Sequence, residues 1–252
     1  MDWERHNRAQ IEALNQRGGR TLSIVDLLKA GTLSAEMAAC AMRAMAQGAS
    51  LLTGARPGGA GKTTLMAALL HLLPPGVRIV TVEHPGLPAE ALRRRPEPEC
   101  YLAHEIGSGH WYGYIWGRAV GDFVRLVEGP RRVASCLHAD TLEELRGILS
   151  SPPLGVSGEA LGRVGLILFM HVRHSRRGLL RRVAAFHEAD GQGGHRLLYR
   201  WDEGADAFEQ VGEERDSAGL RPYAGFIARL LDEGDAEAEA VRRKALAFYR
   251  DS

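Results

Sequence analysis

The sequence predicts an α/β protein whose central sheet is mainly parallel and flanked by helices, with an antiparallel extension and a small C-terminal helical region. Two observations lead to this prediction. Between residues 50 and 149, short apolar runs alternate with helical patterns, and this alternation is typical of parallel sheets. After position 164, short apolar strands follow one another through turn-rich links such as 191–194, as in an antiparallel meander.

Length, charge and cysteine usage exclude several classes of protein. The 252 residues suffice for one large α/β domain with a small appendage, and a formal net charge of +1 gives no reason to expect a nucleic-acid partner. Cys40, Cys100 and Cys136 are scattered through apolar stretches, so we expect buried free thiols. We see no signal-peptide pattern, and the longest apolar run, 164–172, is too short to span a bilayer. We therefore expect a soluble, cytoplasmic protein.

The elements before the first strand are predicted from capping signals. Residues 1–20 are polar and show no clear apolar period, so we expect a frayed helix or a tail there. Ser23 and Asp26 have the spacing of a capping box for a short helix, and Ser34 suits the start of a second helix that runs to about residue 47.

The later elements are predicted from apolar runs and turn residues. Beyond a first strand at 50–53, three strands each end at a polar residue: 77–82 before Glu83, 100–104 before Glu105, and 132–137 before His138. Helices are predicted over 114–127 and 142–149, meander strands over 164–172, 179–186, 197–201 and 207–211, and closing helices over 218–231 and 236–249.

A glycine-rich segment lies between the first strand and an apolar helix: Gly58, Gly59, Ala60, Gly61, Lys62, Thr63 and Thr64. Glycines allow backbone N–H groups to converge on an anion, and a helix N-terminus adds partial positive charge. The segment therefore indicates a loop that binds nucleotide phosphates, with Lys62 on the β- and γ-phosphates and the Thr63 hydroxyl on Mg²⁺. Arg56 stands where the strict motif has its first glycine.

Three polar residues are predicted at the sheet edge that carries this loop. Glu83, Glu105 and His138 each follow a parallel strand, and ligands bind at the carboxyl ends of such strands. Glu105 is expected to act on Mg²⁺, through water, or on the attacking water, with Glu83 as a second candidate for activating water. His138 is a candidate for sensing the γ-phosphate by a hydrogen bond. Solvated carboxylates and a packed histidine are the alternatives.

Four further segments occur in a specific order. They are LSIVDLLKAGTLSAEMAA at 22–39, TVEHP at 81–85, LAHEI at 102–106 and ASCLHAD at 134–140. Together they resemble the segment leading into the ATPase domain, the Asp box, the Walker B motif and the His box of the type II and type IV pilus secretion ATPases. Segments 198–208 and 245–249 are similar to the archaeal branch that includes the archaellum motor ATPase, and the resemblance covers roughly 21–250.

This resemblance implies a RecA-like P-loop fold, ATP with Mg²⁺, and a hexameric ring acting on a membrane platform protein at the inner face of the membrane. It carries the nucleotide roles to Lys62, Thr63, Glu83, Glu105 and His138. It also implies a RecA-like ATPase domain at 21–215, between a polar tail at 1–20 and a helical appendage at 216–252.

The sequence departs from the family pattern beyond Arg56. His84 replaces the Asp-box aspartate, and only 21 residues separate Glu83 from Glu105, where family members carry a longer, arginine-bearing segment. The chain also begins close to the ATPase domain, so the large N-terminal domain of the family is expected to be missing. Three functions stay open: an ATPase that drives pilus assembly or secretion, a shortened relative with weak or no turnover that acts as a regulator or accessory subunit, and an unrelated P-loop enzyme such as a small-molecule kinase.

Overall fold

The computed structural model describes residues 3–15, 18–127, 129–175, 178–213 and 217–251. In these residues the helices are α1 (Trp3–Glu12), α2 (Ile24–Lys29), α3 (Ala35–Ala46), α4 (Lys62–Leu70), α5 (Leu87–Leu92), α6 (Arg118–Arg125), α7 (Leu142–Ser150), α8 (Gly158–Gly162), α9 (Ser217–Glu233) and α10 (Ala238–Asp251). The strands are β1 (Leu51–Gly54), β2 (Arg78–Thr81), β3 (Glu99–Leu102), β4 (Glu105–Ile106), β5 (Tyr114–Ile115), β6 (Arg132–Leu137), β7 (Leu166–Ser175), β8 (Gly178–Ala189), β9 (His195–Asp202) and β10 (Ala207–Gln210).

One mixed sheet forms the centre of the molecule. Its strand order is β10-β9-β8-β7-β1-β6-β3-β2, and the short strands β4 and β5 lie beside β6. The five strands from β7 to β2 in this order are parallel, whereas β7 to β10 form an antiparallel meander. The predicted fold class is therefore confirmed, and β7 belongs to both parts of the sheet.

The sheet is buried on both faces. Successive residues of a strand point to opposite faces, so Leu51 of β1 packs with helices α1 to α4, α9 and α10, while Leu52 packs under α5 to α8. Strand β6 is buried along its whole length, including its two polar residues, Arg132 and Ser135. This double cover fixes the carboxyl ends of β1, β3 and β6 relative to one another.

The predicted caps of α2 and α3 are confirmed. Ser23 and Asp26 make both hydrogen bonds of a capping box, and the Ser34 side chain accepts a hydrogen bond from the Met37 N–H. Helix α4 begins differently, because the residue before Lys62 is Gly61 in the left-handed region, with φ of 99°, and no side chain caps the helix. Its first N–H groups are therefore not covered by a cap.

Residues 3–12 form a packed helix where the sequence analysis expected a frayed helix or a tail. The expectation was wrong because polar side chains dock α1. Asn7 is buried, donates to the Val77 carbonyl at 2.8 Å and accepts from the Ile79 N–H at 2.8 Å. Arg242 of α10 pairs with Glu4 from the other side at 2.8 Å. An apolar period is not required for docking of this kind. The division of the chain into domains stays a prediction.

Two other elements differ from the predicted ones. The helix predicted from residue 114 begins only at Arg118, because Gly117 has φ of 66° and Tyr114–Ile115 pair with β4 as β5. A short helix, α5, lies within the proline-rich link, where Pro88 occupies the first turn and needs no hydrogen bond there.

Replacing Asn7 by alanine should lower the free energy of unfolding by about 2–4 kcal/mol, because a buried carbonyl and a buried N–H of the β2 region would both lose their partner. Urea unfolding followed by circular dichroism measures this. Gln10→Ala is the matched control on the same helix, since within the described ranges the Gln10 side chain bonds a side-chain hydroxyl, that of Thr81, and no backbone group. An equal loss in both variants would contradict this account of α1 docking.

The three cysteines are buried and free, as predicted. Among the described residues, no helix combines the length and the apolar character needed to cross a membrane.

Candidate functional site

The glycine-rich loop connects β1 to α4 at the carboxyl edge of the parallel strands. Strand β1 ends at Gly54, where a Cβ atom would lie 2.6 Å from the Ala139 carbonyl oxygen and 2.7 Å from the Phe169 ring. Only glycine therefore fits between the neighbouring chains at this point. Gly59 and Gly61 have φ of 78° and 99°, which glycine adopts without strain.

The loop presents backbone donors that the protein itself does not use. Among the described residues, no acceptor takes a hydrogen bond from the N–H groups of Gly58, Gly59, Ala60, Gly61 or Lys62. Helix N-termini leave such donors for side chains, water or ligands, and they favour anions. The loop residues predicted to bind phosphate therefore lie in a backbone arrangement that suits an anion.

Lys62 lies under the loop. Its ammonium group is buried and donates to the Ala55 carbonyl at 2.9 Å. Burial lowers the pKa of Lys62, while Cys136, Glu105 and Asp140 act in the opposite direction. Acidic groups close to the loop thus support the charge of the buried ammonium group.

Thr63 follows Lys62 in the first turn of α4. Its hydroxyl lies 3.9 Å from the Cys136 sulfur, and Thr53 bonds the same sulfur at 3.1 Å. Burial raises the pKa of Cys136 to about 11, so this residue is a neutral thiol beside the loop.

His138 joins two parts of the site. Its Nε2 lies 3.3 Å from Glu105 Oε1, and its Nδ1 lies 2.7 Å from the Arg56 carbonyl oxygen. A carbonyl oxygen only accepts, so Nδ1 carries the proton in that bond. The structure thus brings together two of the three predicted strand-end residues, Glu105 and His138, and connects them to the loop.

The structure places Glu83 differently. This carboxylate is exposed, and its Oε1 accepts a hydrogen bond from the Tyr112 hydroxyl at 3.0 Å. Tyr112 packs edge-on against the buried His104. No hydrogen bond or ion pair within the described ranges joins Glu83 to Glu105 or His138. Glu83 is therefore held by the segment that follows β4.

Sequence reasoning did not assign roles to the groups that fix the start of the loop. Asp140 accepts a hydrogen bond from the Arg56 N–H at 2.7 Å, and the Arg56 guanidinium pairs with Glu144. Glu144 Oε2 also accepts from the Asp140 N–H at 2.8 Å. A signal was present, since Asp140 lies two residues after His138. Arg56, which departs from the strict motif, holds the loop against α7.

A second missed contact comes from the meander. Arg181 of β8 donates through Nε to the Gly59 carbonyl oxygen at 2.9 Å. The antiparallel extension therefore contacts the middle of the glycine-rich loop. No local sequence pattern marks this arginine, because the contact depends on the pairing of β7 with β8.

The residues present fit a magnesium ion held mainly by a nucleotide. Within the described part of the chain, no three histidine, cysteine or acidic side chains lie close enough to hold a metal by themselves. Mg²⁺ commonly uses one or two protein oxygens together with substrate phosphates and water. Thr63 and Glu105 supply a hydroxyl and a carboxylate close to the loop, which suits that mode of binding.

The strand order and the loop after β1 define a RecA-like α/β fold, with β6 inserted between β1 and the strand that precedes Glu105. No model of a known protein family and no curated protein matches the sequence.

Solved structures do match. The VirB11 ATPase from the Brucella suis type IV secretion system, in complex with sulphate, is 20% identical over 60% of this chain and 52% of its own, with a TM-score of 0.42. The Legionella pneumophila ATPase DotB is 16% identical over 83% of this chain and 55% of its own, with a TM-score of 0.37. The chain spans about half the length of each.

Proposed function

We propose that the protein binds ATP with Mg²⁺ at the glycine-rich loop and hydrolyses it. One observation carries this proposal. His138 contacts both Glu105 and the glycine-rich loop, and the backbone N–H donors of that loop lie at the N-terminus of α4. An anion-binding loop and a carboxylate at the same sheet edge are the groups that phosphoryl transfer to water requires.

The side chains take separate roles in this proposal. Lys62 gives up its bond with the Ala55 carbonyl and contacts the β- and γ-phosphates. The backbone N–H groups from Gly58 to Thr64, including that of Ala60, surround the phosphates. Thr63 would hold Mg²⁺ directly, and Glu105 would hold it through water. When bound, the ion would neutralise phosphate charge.

Glu105 also orients the attacking water and accepts its proton, as a carboxylate at this position can do. His138 lies between the Glu105 carboxylate, which its Nε2 contacts, and the Arg56 carbonyl of the loop, which its Nδ1 contacts. Glu83 would act on water only after leaving the Tyr112 hydroxyl.

The assembly follows from the resemblance. Secretion ATPases of the type resembled act as hexameric rings on a membrane platform protein, and we propose the same kind of homo-oligomer here, working in the cytoplasm at the inner membrane face to drive pilus-like assembly or secretion. We expect no nucleic-acid partner.

Steady-state hydrolysis of Mg²⁺-ATP by the purified protein tests the proposal, with the molar mass determined by light scattering in the same buffer. Turnover that requires Mg²⁺ and increases as hexamers form is the expected result. A protein that binds no ATP analogue at millimolar concentration would contradict it. Candidate acceptor molecules should leave ADP release unchanged, since stimulation would instead indicate a small-molecule kinase.

The contact between Tyr112 and Glu83 favours a second candidate function. A carboxylate already held by a neighbouring hydroxyl is less free to activate water. In this version the protein is a shortened relative that binds nucleotide with weak or no turnover and regulates a partner. Tight ATP binding by a monomer without hydrolysis would support it over the first function.

A further inference from the structure

Arg181 lies outside every segment that suggested a nucleotide site. It belongs to β8, pairs in register with Val172 of β7, and extends to the glycine-rich loop. Its Nε donates to the Gly59 carbonyl at 2.9 Å, and its Cδ lies 3.3 Å from the point where a Cβ of residue 61 would stand. The side chain therefore runs along the loop between Gly61 and Gly59.

The charge of Arg181 is not balanced by an acidic partner. Among the described residues, no carboxylate forms an ion pair with Arg181, and its Nη groups have no protein acceptor. The neighbouring Arg182 behaves differently, since it pairs with Asp206 at 2.8 Å. Arg56, the other arginine at the loop, pairs with Glu144. A half-buried guanidinium with one neutral acceptor retains most of its donors for another group.

Arg181 adds a positive charge where acidic groups outnumber the other cationic side chains. Apart from Arg181, the charged groups that contact the loop or act on Lys62 comprise two cations and three acids, namely Lys62 and Arg56, and Glu105, Asp140 and Glu144. These five groups sum to a net charge of −1, and a nucleotide phosphate group adds further negative charge. Arg181 adds one positive charge beside the loop and so lowers the repulsion of an anion there.

We propose that Arg181 is a phosphate-binding residue, supplying from the same chain a cation that contacts the terminal phosphate of the nucleotide. This inference rests on the proposed function of the loop. Guanidinium groups bind phosphate oxygens through charged, paired hydrogen bonds, and their pKa keeps them charged throughout the physiological range. The antiparallel extension of the sheet thereby becomes part of the nucleotide site.

The test compares the affinities of Arg181→Gln for a fluorescent, non-hydrolysable ATP analogue and for ADP. We expect the Kd for the ATP analogue to rise about 10- to 100-fold, as for a lost charged hydrogen bond, and the Kd for ADP to rise much less. Arg181→Lys should recover part of the affinity for the ATP analogue. The thermal unfolding midpoint should change little, because glutamine retains an N–H donor for the Gly59 carbonyl.

Arg173→Gln is the matched control, because Arg173 lies on the adjacent strand and pairs with Glu203, and among the described residues it forms no hydrogen bond or ion pair with the loop. Equal increases for the ATP analogue and ADP, or a fall in the unfolding midpoint that accounts for the loss, would overturn the inference and leave Arg181 as a support of the loop. Unchanged Kd values in Arg181→Gln would also overturn it. Failure of the unaltered protein to bind either nucleotide would instead refute the proposed function itself.

Discussion

Lys62→Ala should lose nearly all affinity for Mg²⁺-ATP, with a Kd increased about 100-fold or more and no measurable turnover. The phosphates would lose the ammonium group that lies under the loop, and each hydrogen bond to a charged group is worth about 1.5–3 kcal/mol. Titration with a fluorescent ATP analogue measures the affinity, and phosphate release measures the turnover.

Lys29→Ala is the matched control for that variant. Lys29 is exposed, lies far along the chain from the loop and donates to the Gly234 carbonyl, so its removal changes the net charge by the same amount outside the site. We expect its nucleotide affinity to equal that of the unaltered protein. If Lys62→Ala also binds ATP normally while its thermal unfolding is unchanged, then the glycine-rich loop is not the nucleotide site.

Glu105→Gln should retain ATP binding and lose most hydrolysis, with a rate about 100-fold or more below that of the unaltered protein. Glutamine preserves the size of the side chain and its contact with His138, but it does not accept a proton as a carboxylate does. General-base groups contribute about 10²- to 10⁴-fold to a rate. Single-turnover hydrolysis, measured together with ATP affinity, separates the chemical step from binding.

Glu83→Gln and Glu97→Gln complete that experiment. Glu97 is an exposed acid in the link before β3 and should have no effect. Glu83→Gln should reduce the rate less than Glu105→Gln, because the described contacts connect Glu83 to Tyr112. Normal hydrolysis by Glu105→Gln with a large loss in Glu83→Gln would show that the two roles had been exchanged.

Local signals were sufficient for much of the fold. The strand over Arg132–Leu137 and the caps at Ser23 and Ser34 are where the sequence predicted them, since apolar runs and capping residues act within a few positions of the chain. Helix α1 was not recognised as a packed element, because much of its docking comes from polar contacts with distant segments, namely Asn7 with the backbone around β2 and Glu4 with Arg242. The start of α6 was missed because Gly117 and the pairing of β5 with β4 override a helical pattern.

The candidate site was predictable in part for the same reason. The loop and the strand-end residues Glu105 and His138 are marked by their own neighbours in sequence, and the parallel sheet brings them to one edge. The roles of Arg181 and Glu144 required the three-dimensional arrangement. Each reaches the loop from a different element, and neither has a local pattern that distinguishes it from the other arginines and glutamates of the chain.

Strand β8 has a mechanical consequence. Neighbouring residues on a strand point to opposite faces, so Arg181 holds the glycine-rich loop while Arg182 holds Asp206, at the turn between β9 and β10. The two arginines are joined by a single peptide unit and pair with β7, whereas β8 pairs with β9 only from Ala185 onward. A displacement of the loop that keeps the Arg181 bond therefore acts directly on β8. Two adjacent residues of β8 thus link the glycine-rich loop mechanically to the outer turn.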